Sequence, residues 1–154
     1  MPEHRMTTVG EILSFMLAGN ATLTLKSVAT GKHYTYKVKR AKPWSSDGAN
    51  PPLRWWVNIL SGPDNTADYS PLGMLKQAHQ GVLSFGKTSR SCLADTAPPM
   101  AGFAWFIRAV VNEDAEKLAQ VEFWHEGRCG KCNRKLTDPT SIRLGIGPVC
   151  RGDS

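Results

Sequence analysis

Two alternating runs near the start of the chain limit its fold more than any other feature. In "ATLTLKSV", residues 21–28, Leu23 and Leu25 alternate with Thr22, Thr24 and Lys26. After the turn-forming "ATGK", the run "HYTYKVKR" at 33–40 alternates again. A period of two sends successive side chains to opposite faces of a strand, so the pair predicts a β-hairpin. One face of its second strand carries Tyr34, Tyr36 and Val38, and the other His33, Thr35, Lys37 and Lys39.

The rest of the chain extends this unit. Thr8 to Ala18 reads as a short amphipathic helix, with Thr8 and Glu11 spaced as a capping box and Gly19-Asn20 ending it. The proline-rich "KPWSSDGANPP" at 42–52 is a loop, "LRWWVNIL" a strand, and "SGPDNTADYSP" a turn-rich connection. Further strands are predicted near Leu72 to Leu75 and at 82–89. "MAGFAWFIRAVV" is an apolar helix that packs on the sheet, and "VEFWHEG" a last short strand. Helix, strands, then helix predict an α+β fold with a mostly antiparallel sheet. The expected division is a core domain over residues 1–120 and a small module over 121–154 packed on it.

At 154 residues, with 41% apolar and 21% charged residues, the chain can bury an ordinary core, so a metal would serve a local need. The net charge of +6 is concentrated. Residues 26–54 hold Lys26, Lys32, Lys37, Lys39, Arg40, Lys42 and Arg54 against Asp47 alone. Such a cluster suits a polyanionic partner, although a merely solubilising face has the same composition. Glu11 interrupts the apolar run after Arg5, which argues against a signal peptide, and no run reaches a membrane-spanning length. A cytoplasmic protein is expected, in which C-x-x-C more often binds metal than forms a disulfide.

Three of the four cysteines fall near the end, as His125-x3-Cys129-x2-Cys132-x17-Cys150. "CGKC" has the form of a zinc-knuckle turn, in which two thiolates converge on one ion. Thr137 or Asp138 suits a helix cap before Pro139, and "GIGPVC" bends the chain back to Cys150. One structural Zn2+ held by His125, Cys129, Cys132 and Cys150 is the expectation, with Cys92 as an alternative fourth ligand. A thioredoxin-like pair would need a βαβ context, and a zinc deaminase would need H-x-E well upstream of its cysteines. Asp64, Asn65 and Asp68 cluster on one loop, which is read as an ordinary turn.

Cys129, Gly130, Cys132, Arg134, Leu136, Thr137, Pro139, Ser141, Gly145, Gly147, Pro148 and Cys150 form the pattern C-G-x-C-x-R-x-L-T-x-P-x-S-x-x-x-G-x-G-P-x-C. This resembles the end of a family of uncharacterised proteins encoded by phages and bacteria. "EFWHEGRC" and "VNILSGPDNTADYSPLG" resemble the same group more loosely. The resemblance implies a zinc-finger-like C-terminus in a phage or mobile-element setting, and no activity.

A fully ligated zinc leaves no position for substrate, and no nucleophile, Walker or Rossmann pattern appears, so an enzyme is not expected. The first expectation is electrostatic, weakly sequence-selective binding of nucleic acid, DNA before RNA. Its contacts would be Lys32, Lys37, Lys39, Arg40 and Lys42 on the hairpin side, with Arg128, Lys131, Arg134, Lys135 and Arg143 on the module. The second is a protein-binding inhibitor of a host enzyme or antiviral defence complex. Neither a membrane nor a small-molecule substrate is indicated.

Overall fold

In a computed structural model the described residues are 4–44, 48, 52–62, 69–77, 81–94, 96–136, 139–147 and 150. The elements are β1 (Arg5–Met6), α1 (Val9–Met16), β2 (Asn20–Ser27), β3 (His33–Arg40), β4 (Leu53–Leu60), β5 (Tyr69–Gln77) and β6 (Leu83–Gly86). They continue with α2 (Pro98–Val111), α3 (Ala115–Leu118), β7 (Val121–His125) and α4 (Pro139–Leu144).

The strands form one sheet of seven, in the order β1-β7-β2-β3-β4-β5-β6, and each of these pairings is antiparallel. The hairpin pairs Leu23 with Tyr36 and Thr22 with Lys37, as the alternation requires. Its apolar face is buried: Ala21, Leu23, Leu25, Tyr36 and Val38 join Trp55, Val57, Ile59, Leu75 and Phe123 in the core. Pro71 and Leu72 lie where the register shifts between Val57 and Asn58. A bulge suits Pro71, which has no amide proton for a regular ladder.

The helices cover that apolar face. α1 buries Ile12, Phe15 and Met16; its cap is Thr8, whose Oγ1 accepts from the Glu11 amide and donates to the Glu11 carboxylate. α2 starts on Pro98 and buries Met100, Phe103, Phe106, Ile107 and Val110, a helical stripe. Phe103 meets Tyr36 and Phe85, Phe106 stacks on Phe123, and the Tyr36 hydroxyl donates to Pro99 O. No helix among the described residues is long and apolar enough to cross a membrane.

β7 lies inside the sheet between β1 and β2, and the cysteine turn follows it in the chain. The last strand brings the chain back to the first, a long-range pairing that a local pattern does not reveal. The proposed caps Thr137 and Asp138, the acidic loop of Asp64, Asn65 and Asp68, and Pro148 lie outside the described residues.

Candidate functional site

The module opens with a miniature hairpin. Leu136 N donates to Gly127 O at 2.9 Å, Cys129 N to Arg134 O at 2.8 Å, and Asn133 N back to Cys129 O at 2.8 Å. Arg128 and Lys135 are bridged across it. Asn133 takes the left-handed φ of 64° that closes the turn, a conformation asparagine tolerates better than most residues. The result turns the Lys131 amide onto Cys129 Sγ at 3.4 Å, so the backbone already solvates a thiolate. α4 and the turn after it then return the chain to Cys150. The sulfurs of Cys129, Cys132 and Cys150 all lie within 4.8 Å of one another and could hold a metal ion.

The electrostatics of the three thiols are unequal. Burial pushes the Cys129 thiol up, but hydrogen bonds from the amides of Gly147, Cys132 and Lys131, and from the Cys132 thiol, outweigh it and bring it down to about 7. Cys150 moves the other way, to about 11, chiefly through its hydrogen bond with Cys132, then burial and the neighbouring sulfurs. Three thiolates this close repel one another, and a bound cation is what would allow all three to ionise together. The donor set fits a soft or borderline metal and disfavours magnesium or calcium.

His125 does not join them. The imidazole is 2% exposed, its Nδ1 accepts from the Gly127 amide at 2.9 Å, and its Nε2 faces Ile142 O. Both ring nitrogens are thus occupied by backbone. The ring also stacks on His4, with centroids 4.7 Å apart, and tilts against Phe15. A spacing of three residues is long enough to reach the thiols, but parity along β7 sends this side chain into the core face beside Phe123's row. His125 acts as a latch, tying the end of β7 to α4. Cys92, exposed and tied through its amide to Pro71 O, is likewise apart from the trio. Among the described residues no further His, Cys, Asp or Glu side chain joins the trio.

Glycines dock the module on the core. A Cβ on Gly130 would come within 2.8 Å of Phe15 Cδ1 and Phe15 O, and one on Gly145 within 2.5 Å of Phe15 Cδ1 and 2.7 Å of Met6 Cε. Gly130 N donates to Gly145 O at 2.8 Å, and Asn20 N donates to Gly130 O. The first turn of the metal hairpin is therefore joined both to the return loop and to the start of β2.

This docking decides which basic residues meet. On the open face of the sheet, Lys37 stands between Thr22 and Asn58, and Lys39 directly opposite Trp56. Arg128 reaches the same face: with Thr22, Thr35, Lys37, Tyr69, Glu126 and Asn133 it lines a cavity of about 410 Å3. The Lys37 ammonium lies over the Tyr69 ring, 4.6 Å from its centroid. The Tyr69 hydroxyl is buried with no hydrogen-bond partner among the described residues. Burial, then the Glu126 carboxylate, raises its pKa. Beside this cavity a second, of about 200 Å3, is lined by Lys39, Trp56, Asn58, Pro71, Thr88 and Arg90 among others.

The remaining expected contacts are dispersed. Arg40 has the opposite parity and lies over the Trp55 ring, and Lys42 follows the end of β3. Lys32 sits at the hairpin tip and lines a different cavity. Lys131, Arg134, Lys135 and Arg143 are exposed on the module. Tyr69 and Arg90 are not among the expected contacts. Trp56 was accessible in principle, since "RWWV" must put its two indoles on opposite faces; Trp55 is 2% exposed and Trp56 37%.

Neither a curated protein nor a solved structure matches the chain. The profile of a family of unknown function (DUF6011) matches residues 120–154, the last strand and the cysteine module described above.

Proposed function

We propose that this chain binds nucleic acid across the open face of its sheet, with a zinc-held module as one wall of the binding surface. The observation that carries this reading is the shared cavity of Lys37 from the hairpin and Arg128 from the cysteine turn. Two positive charges from segments about ninety residues apart line it, with Glu126 as the one carboxylate beside them. Lys39 and Arg90 continue the positive charge along the face, next to the exposed indole of Trp56. Cations that track phosphates, interleaved with an aromatic plane on which a base can stack, are the recurring surface for single strands. Lys37, Lys39, Arg90 and Arg128 contact phosphate and Trp56 stacks a base. These contacts do not depend on base identity, so selectivity for sequence is weak, and DNA is the first ligand to test.

The metal in this reading is one Zn2+ on Cys129, Cys132 and Cys150, with thiolate donors and a knuckle turn as its support. When bound, it would offset two of the three thiolate charges and relieve their mutual repulsion. The protein's own residues do the rest: the backbone orients Arg128, and Gly130 and Gly145 hold the turn against Phe15. No reaction is assigned to the site.

The test is fluorescence anisotropy of a labelled single-stranded DNA at several salt concentrations. Four phosphate contacts predict a slope of log K against log salt of about −3. Charge reversal at Lys37 or at Arg128 lowers affinity, whereas reversal at Arg40 or Arg143 changes it little. Binding that ignores salt, or that is insensitive to both Lys37→Glu and Arg128→Glu, overturns the proposal and directs attention to a protein partner.

A further inference from the structure

The other side of the hairpin holds a cavity of about 330 Å3 that takes no part in the surface above. It opens where the core-facing row of β2 and β3 runs out beyond α2. Its floor is Leu25 and its cross-strand partner Tyr34, with Tyr36 behind them. Its other wall is α2, through Gly102 and, three residues on, Trp105. Tyr34 and Trp105 are both half-buried, so each ring leaves part of its surface uncovered. Gly102 explains the space: a Cβ added there would meet nothing within 4 Å. A helix interior with glycine at this position gives up helical propensity, and here it leaves the space beside it unfilled.

The polar groups around the cavity narrow what fits. The Tyr36 hydroxyl is already spent on Pro99 O, and Ser27 Oγ accepts from the Thr30 amide. Among the lining residues the one charged side chain is Lys32, exposed at the rim. The volume falls in the range of small-ligand pockets, roughly 300–1,000 Å3.

We propose that this cavity binds a planar aromatic anion of one or two fused rings, its ring between Tyr34 and Trp105 and its charge at Lys32. Aromatic walls favour a flat π-system over an aliphatic body of equal size. The lone cation selects a carboxylate, sulfonate or phosphate over an amine. This site is independent of nucleic-acid binding, since it lies on the face of the hairpin opposite Lys37 and Lys39.

The experiment is isothermal titration calorimetry of the full, metal-loaded chain with 2-naphthoate. Cyclohexanecarboxylate serves as the non-aromatic control and 2-naphthylmethylamine as the charge control. Saturable binding of 2-naphthoate at one site per chain is expected, with cyclohexanecarboxylate weaker by up to about ten-fold. Lys32→Gln, an exposed and structurally tolerant change, weakens 2-naphthoate by up to about five-fold and holds or strengthens binding of the amine, which no longer faces a like charge. Gly102→Leu fills the gap and abolishes binding while keeping or raising the melting temperature, because leucine is the better helix former. Labelled single-stranded DNA binds both variants as it binds the parent. Absence of saturable 2-naphthoate binding, equal binding of the amine, or undiminished binding by folded Gly102→Leu would overturn the assignment.

Discussion

Gly145 and Gly31 share a backbone conformation, with φ of 72° and 73°, but differ in what surrounds them. That pair separates the cost of backbone strain from the cost of undocking the cysteine module. Alanine at either position bears the left-handed penalty, about 1–2 kcal/mol. At Gly31 nothing lies within 4 Å of the new methyl group, so the strain is the whole effect. At Gly145 the methyl falls 2.5 Å from Phe15 Cδ1 and 2.7 Å from Met6 Cε. Met6 can swing its terminal methyl aside. Phe15 is 0% exposed and wedged against Phe123 and His125, so its ring moves only if the module lifts away. Overpacking of this kind adds about 1–3 kcal/mol. Gly145→Ala should thus lose about 2–5 kcal/mol, against about 1–2 for Gly31→Ala. For a domain of this size each kcal/mol lowers the melting temperature by about 2–4 °C. Chemical denaturation monitored by tryptophan fluorescence gives both values directly. Equal losses at the two sites would refute the view that the module is packed on Phe15.

Three further outcomes follow from the same geometry. Trp56→Ala should weaken single-stranded DNA by about 1–3 kcal/mol in an anisotropy titration. Its thermal stability should fall less than that of Trp55→Ala, because Trp56 is 37% exposed and Trp55 only 2%. Cys132→Ser removes an exposed thiol of the trio and should reduce bound zinc, measured by elemental analysis, from about one per chain toward none. For His125, burial foremost and then His4 depress the imidazole below its ordinary 6.5, with the Ile142 carbonyl opposing them. The unfolded chain therefore binds the extra proton first as the pH falls. Stability is greatest above about 6.5 and declines as acidification proceeds toward the depressed folded value. Denaturation midpoints between pH 5 and 8 should show this decline in the parent and a shallower one in His125→Asn. Parallel curves would contradict it.

How much of this was legible in the sequence depends on the range of the interaction. The Thr8 cap, the hairpin and its two faces are local, and alternation or spacing specifies them within a few residues. The strand at 121–125 was legible as a strand, but its place between β1 and β2 depends on pairings with residues a hundred positions earlier. His125 shows the same limit at the level of one side chain. Its distance from Cys129 in sequence suited a ligand, while the register of β7 turned its ring into the core against His4 and Phe15. The cysteine trio was legible because C-x-x-C is itself a local turn and the glycines after α4 mark a return. The nearness of Lys37 to Arg128 was not, since it needs both the docking of Gly130 on Phe15 and the sheet order.

The central claim is that the metal-held turn and the sheet form one binding surface through Lys37 and Arg128. It is tested most directly by measuring single-stranded DNA affinity for the parent, Lys37→Glu and Arg128→Glu, each in the Cys132-intact and Cys132→Ser backgrounds. With the cysteine trio intact, both reversals should weaken binding. In the Cys132→Ser background Lys37→Glu should still do so, whereas Arg128→Glu should lose most of its effect, because the turn no longer presents that side chain to the cavity. An Arg128→Glu effect of undiminished size without Cys132 would contradict the claim, as would its absence when the trio is intact.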